Sequence, residues 1–471
     1  MGSFTDKSDN YKTFKGVQPA ADYVGAEVRE QIFGSEVPGL VDFLQARIAH
    51  ESVLKARDLA SEVGVSCGAP CDGPYFVSDR DMGFGASTDD SSYALVKPGK
   101  KGAPLRIILA HTDSPCLRLT PQPVFIESDA DLCLAYPSFS LMTRPSGAIR
   151  VDDWLGMDVD IIGRAYGEKT RHIDIPGRIK HRSFHVDSGE ETRRPFELKI
   201  DSGVRKLGRL YELFGMKDGM DFACAKLYAV PHFPGTNGRL VGNELGAYGL
   251  DDRASLWAAT SAGLESLSLE ESDNTWIVLG LDKEETGSTG ANGGYPGFCE
   301  SVIKETLEVV YGDEAKNFDI PLDLRRRFLG NMPVISADCD VALGDAELQQ
   351  TGDSLDFFNS AKTGWGPFIS SEGPEWNDRE VSPEHVARLA SLFSNGLGGK
   401  KPRDRFHMIG KGTAYDSEFA TGTMADVFDR FFPCVDVGLP ITGLHSPRGE
   451  AVNVYDVHWL KEMLGLYLDS E

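Results

Sequence analysis

The chain has 471 residues, 41 % hydrophobic and 25 % charged, which is ordinary globular composition with ample material for a large core. Its 72 acidic and 48 basic residues give a formal charge of −24, a balance that repels nucleic acid and anionic membrane surfaces. No basic patch offsets it; KPGKK (97–101) is short and reads as a solvated turn.

The length suits two or three domains, or one large α/β domain carrying an insertion. The start, MGSFTDKSDNYKTFKG, lacks the apolar run and cleavage pattern of a secretory leader. A myristoylation signal would need Ser or Thr where Asp6 stands. No window approaches the ~18 uninterrupted apolar residues of a bilayer span. Eight cysteines, Cys67, Cys71, Cys116, Cys133, Cys224, Cys299, Cys339 and Cys434, are scattered in the manner of reduced thiols, so the expected location is the cytoplasm. Three residues separate Cys67 from Cys71, which is not the usual zinc-knuckle spacing.

In chain order, residues 38–64 carry apolar residues at helical spacing, which predicts a helix near the N-terminus. RIILA (106–110) is a short apolar run leading into HTDSP, the pattern of a buried strand ending in a functional loop. From about Pro121 to Val241 the pattern changes to short alternating segments (AIRVDD, MDVDIIG, RHIDIPG, FELKID), with a helical stretch near 202–216. This predicts a β-rich domain inserted after the first catalytic strand. DRASLWAATSAGLESL (252–267) is a helix by periodicity. WIVLGL before DKEETGS (276–288), MPVIS before AD (332–338) and CVDVGLP (434–440) before GLHSPRGE repeat the strand-then-polar-loop pattern. Ser382, Pro383 and Glu384 read as an N-cap, first-turn proline and acidic residue opening a helix to about Phe393, and 454–468 as a closing helix. Strands alternating with helices predict an α/β sandwich on a largely parallel sheet, where ligands gather outside the carboxyl ends of the strands.

Every polar motif above lies at such an end. Asp113, two residues beyond His111, can hold that imidazole's second nitrogen or assist nearby chemistry. Asp251 and Asp252 open a helix, where the free amides also favour plain capping. Glu284 and Glu285 are adjacent carboxylates at a buried strand end, which repel unless a cation or proton is shared. One then serves as metal ligand and the other as general base. Asp338 and His445 close the set. Individually each has a bland reading as surface or cap. Together, two histidines and several carboxylates supply mixed N/O ligation suited to two divalent zinc-like ions, which sit ~3.5–4 Å apart in hydrolytic sites.

With AHTDSP (110–115), AYGLDDR (247–253), DKEETGS (282–288), SAD (336–338) and GLPITGLHSPRGE (438–450) in order, the chain resembles the aspartyl aminopeptidase family over nearly its whole length. The resemblance implies that His111 and Asp338 bind one zinc and Glu285 and His445 the other, with Asp251 bridging. It implies Glu284 as general base and Asp113 as the residue orienting His111 or assisting catalysis. It further implies an α/β zinc-peptidase domain (1–120 and 246–471) interrupted by a β-rich dimerisation domain (121–245). Peptides with a free N-terminus, acidic residues by default, are the implied substrates. The implied assembly is a homo-oligomer, a dodecamer built from dimers, whose dimerisation domain lends a histidine to the neighbouring site. Within PGRIKHRSFH (176–185) that histidine is His181, with His185 second. CDVALGD (339–345) and GKGTAYDSEF (410–419) depart from the family pattern in loops expected to line the substrate pocket. Two other readings use the same residues: a two-zinc deacylase or dipeptidase, and a non-catalytic shell or receptor.

Overall fold

The computed structural model describes residues 24–67, 83–87, 89–127, 138–166, 170–180, 196–200, 206–267, 273–294, 297–342, 360–372, 381–397, 405–410 and 423–470. Its centre is four parallel strands, in the order Thr275–Leu281, Leu105–His111, Val334–Ser336 and Cys434–Thr442. The first two are buried at every residue, as continuous apolar strands covered on both faces must be. Side-chain alternation then divides them. Ile108, Ala110, Val278 and Ile335 pack against Leu256, Trp257, Leu460 and Leu464 of the helices Leu250–Glu265 and Val454–Leu468. Ile107, Leu109, Ile277 and Leu279 face the other way, onto Val302, Ile303 and Phe428. The result is the expected α/β sandwich. The sheet is mixed rather than largely parallel, however. Antiparallel strands extend it on one side through Tyr93–Lys97 and Gly83–Ala86, and on the other through Glu450–Asn453, Glu244–Ala247 and Arg239–Val241.

Two local expectations change. The helix predicted over 38–64 is two helices, Val37–Phe43 and Ala49–Glu62, with Ile48 extended between them. The break has a cause in its polar residues. The Gln45 amide donates to the carbonyl of Asn237, and Arg47 reaches Asp160 at 3.1 Å and Asp174 at 3.2 Å. A continuous helix would lose these partners. AIRVDD is not a strand either: Val151–Trp154 form one helical turn, whose Trp154 is fully buried in the core of the β-rich unit. At the helix Pro383–Gly396, Ser382 takes the N-cap position, although its hydroxyl makes no capping bond.

The β-rich stretch closes on itself. Ala225–Pro231, Cys116–Glu127, Ser138–Ser146, Phe196–Ile200, Arg171–Ile179 and Asp158–Ala165 form a six-stranded antiparallel barrel in that order. Leu117, Leu141, Ile161, Leu198 and Leu227 fill it. Closure removes the unpaired strand edges that an open sheet of this size would expose. The barrel begins directly after the loop that follows His111, so its first strand starts beside the polar motifs.

Candidate metal centre

The strand ends bring His111, Asp251, Glu284, Glu285, Asp338 and His445 together. All are buried except His445, which is half-buried. His111 ends its strand with its backbone N–H donating to Asp252 Oδ2 at 3.0 Å. Its Nδ1 lies 3.0 Å from the carbonyl of Asp113 and 3.5 Å from that residue's carboxylate. Nε2 therefore faces inward, 3.1 Å from Asp251 Oδ1 and 3.3 Å from Asp338 Oδ1. His445 repeats the arrangement from the other side. Its Nδ1 donates to the carbonyl of Ala148 at 2.7 Å, and its Nε2 lies 3.1 Å from Asp251 Oδ2 and 3.7 Å from Glu285 Oε1. Asp251 thus offers one carboxylate oxygen to each imidazole. In both rings a backbone carbonyl occupies the outer nitrogen and leaves the inner one for a ligand.

The donor atoms fall into clusters of the size a divalent ion needs. Those of His111, Asp251, Asp252 and Asp338 lie within 4.8 Å of one another, as do those of Asp251, Glu285 and His445, and those of His111, Glu284 and Glu285. Burial and then the charge of Asp338 push the Glu284 carboxyl well above the ordinary range. Burial, with Asp251 adding to it, does the same to Glu285. Burial opposes ionisation of Asp251 as well, but the hydrogen bonds to both imidazoles hold it below the usual carboxylate range. Although burial disfavours its cation, His445 is pushed up to about 10 by Glu285 and Asp251. So many dehydrated carboxylates in one place call for cations. Glu285 makes the point sharply: among the described residues neither of its buried oxygens has a hydrogen-bond donor. A buried carboxylate lacking donors is costly in an apo fold and ordinary beside a metal ion. The donor set, imidazole nitrogen with carboxylate oxygen, fits zinc-like ions.

Residues outside the expected set hold it in shape. Glu450 is buried, and its carboxylate accepts from the backbone N–H of Asp251 at 3.2 Å and of His445 at 2.8 Å. It thereby ties two distant segments together. It closes the same GLHSPRGE run that contains His445, so a signal was available in the sequence. The Asp113 carboxylate accepts from the backbone N–H of Glu284 at 3.1 Å and so fixes the start of the Glu284–Thr286 turn as well as facing His111. The contact from Ala148 carries no sequence signal, since any residue has a carbonyl. Nearby Gly147 has φ +92°, and a Cβ there would lie 2.9 Å from Glu285 Oε2, so the barrel's edge sits directly against the centre. His181 and His185 lie outside the described residues, as do Cys71, most of 410–419 and the end of 339–345.

Beside the centre, between barrel and sandwich, opens a cavity of about 520 Å³. Asp113 lines it, together with Arg47, Arg118, Arg144, Lys226 and Lys283.

Residues 207–343 match the family model described as aminopeptidase I zinc metalloprotease (M18). A Thermotoga neapolitana protein named "Probable M18 family aminopeptidase 1" is 25 % identical over 412 residues, 81 % of this chain and 82 % of that one. Among solved structures, an M18 family aminopeptidase from Thermotoga maritima superposes with a TM-score of 0.75 at 22 % identity, covering 96 % of this chain and 99 % of its own. The yeast aminopeptidase 1, solved as a dodecamer, gives a TM-score of 0.68 at 15 % identity, covering 92 % and 96 %. Both structural likenesses bear on the fold. The cluster of His111, Asp251, Glu284, Glu285, Asp338 and His445 thus sits in a sandwich that shares its fold with M18 aminopeptidases.

Proposed function

We propose that the chain, which is similar to M18 aminopeptidases over most of its length, removes single residues from the free amino end of peptides at a site holding two divalent ions. The observation that carries this reading is the placement of Asp251 between the inner nitrogens of His111 and His445, one carboxylate oxygen toward each. In the proposed assignment His111 and Asp338 would hold one ion, His445 and Glu285 the other, and Asp251 would serve both. Two zinc ions held there would supply Lewis-acid polarisation of the scissile carbonyl and acidification of a water molecule. Glu284 takes the proton of the attacking water and returns it to the departing amine. Asp113 keeps the His111 ring oriented through its carbonyl and anchors the backbone of Glu284 through its carboxylate. Glu450 keeps the Asp251 and His445 segments in register. Glu450→Ala is expected to weaken zinc affinity by ~10- to 100-fold, the usual cost of losing an outer partner of a metal site. Titration against a competing chelator measures this.

Acidic N-terminal residues are the proposed default substrates, and the excess of five basic over two acidic side chains lining the adjoining cavity supports that choice. A panel of aminoacyl reporters tests it. The highest kcat/KM is expected for Asp or Glu; a maximum at a neutral or basic residue would remove the acidic preference. We further propose that residues 121–245 act as a dimerisation domain within a homo-oligomer like the yeast dodecamer, lending His181 or His185 to the neighbouring site. The scattered thiols and acidic charge suit a cytoplasmic location.

A further inference from the structure

The barrel wall of the cavity carries two arginines set side by side. In the antiparallel pairing of Cys116–Glu127 with Ser138–Ser146, Arg118 stands directly opposite Arg144; on the next strand Tyr228 stands opposite Arg118. Leu117, Leu119, Leu227 and Ala229 are buried in the barrel core. Alternation therefore sends Arg118 and Tyr228 outward, and all three side chains line the cavity. Like charges directly opposite each other on a strand pair are destabilising. Other cations here are engaged: Arg47 pairs with Asp160 and Asp174, and Lys226 with Asp89. Among the described residues no carboxylate pairs with Arg118 or Arg144, and the two carboxylates that line the cavity are engaged by backbone: Asp113 accepts from the N–H of Glu284 and Asp282 from that of Lys283. A half-buried and an exposed guanidinium beside a phenol form a planar, multidentate receptor for a carboxylate arriving from solvent.

We propose that Arg118, Arg144 and Tyr228 form a subsite that binds a carboxylate of the peptide substrate; this rests on the aminopeptidase reading, because it needs a peptide in the cavity. The carboxylate has two possible sources. Gly147, just past the end of the strand Ser138–Ser146, lies against Glu285, and Arg144 is three residues before it, an offset of ~10 Å at the rise of a strand. An extended chain covers that in about three residues, which places the C-terminal carboxylate of a short peptide within reach. The long arginine stems shorten the gap enough for the acidic side chain of the N-terminal residue to be the other source.

Steady-state kinetics on the full-length holoenzyme separate the two. One arm compares reporters beginning with Asp and with Asn, both lacking a free C-terminal carboxylate. The second compares a neutral tripeptide with its C-terminal amide. For Arg118→Met, Arg144→Met and the double variant, the acid-over-neutral ratio of kcat/KM is expected to fall ~10- to 100-fold in one arm, the worth of a lost charge-assisted hydrogen bond. The fall should come through KM, and Arg144→Lys should recover part of it. The arm in which it falls identifies the source. Ratios unchanged in both arms for the double variant would overturn the subsite. Wild-type turnover of the neutral amidated substrates tests hydrolysis separately, so an active enzyme with unchanged ratios condemns the subsite alone. If the wild type hydrolyses nothing, calorimetric titration with Asp-Ala-Ala and Asn-Ala-Ala-amide reads the subsite directly. Weaker binding of the acidic peptide by the double variant supports it, and equal binding overturns it.

Discussion

Glu284→Gln is expected to keep the fold and its metal while losing turnover by ~10²- to 10⁴-fold, the usual contribution of a positioned general base. The amide matches the carboxylate in shape and cannot take a proton. Glu284 is the member of the adjacent pair whose backbone N–H is pinned by Asp113, while Glu285 is the one clustered with Asp251 and His445. Glu285→Gln should therefore behave differently, losing metal affinity at the ion shared with His445. Zinc content and kcat measured on the two variants side by side check the order of the pair. Equal metal loss in both would show that Glu284 is also a ligand, and loss in Glu284→Gln alone would show that the two roles are exchanged.

Asp251→Ala is expected to lose most bound zinc and essentially all activity. Its carboxylate faces both imidazoles, and no neighbour can replace it without moving: Asp252 is committed to the backbone N–H of His111 and Asp338 to that of Cys339 at 2.7 Å. Removing Asp251 also leaves both inner imidazole nitrogens without their shared partner. A thermal melt alongside the metal analysis separates loss of the ions from loss of the fold. An intact melt with full zinc would remove Asp251 from the centre.

The parts of this architecture written in local pattern were legible in the sequence. WIVLGL and RIILA are unbroken apolar runs because both faces of their strands are covered, and the helix 454–468 starts and stops where its periodicity does. The polar residues that follow such strands, His111, Glu284, Glu285 and Asp338, could be named as a set because strand ends are where a parallel sheet places its chemistry. What escaped depends on distant partners. The break at Gln45–Arg47 is invisible to helical periodicity, since its cause is Asn237, Asp160 and Asp174. AIRVDD alternates like a strand, yet Trp154 after it turns inward to fill the barrel. The antiparallel flanks of the sheet follow from which short strands meet, and nothing local encodes that. Glu450 belongs to the GLHSPRGE run, but its role depends on the two distant amides it accepts from, those of Asp251 and His445. The row of Arg118, Arg144 and Tyr228 exists only through strand register, which no single segment specifies.

The central claim is that this cluster is a two-ion centre organised on Asp251. Inductively coupled plasma mass spectrometry of the purified full-length chain tests it most directly, on wild type and Asp251→Ala, each loaded with zinc and dialysed against metal-free buffer. The account predicts two equivalents of zinc per wild-type chain and loss of most of it in the variant. Two equivalents retained by Asp251→Ala, or a wild-type chain that binds none, would contradict it.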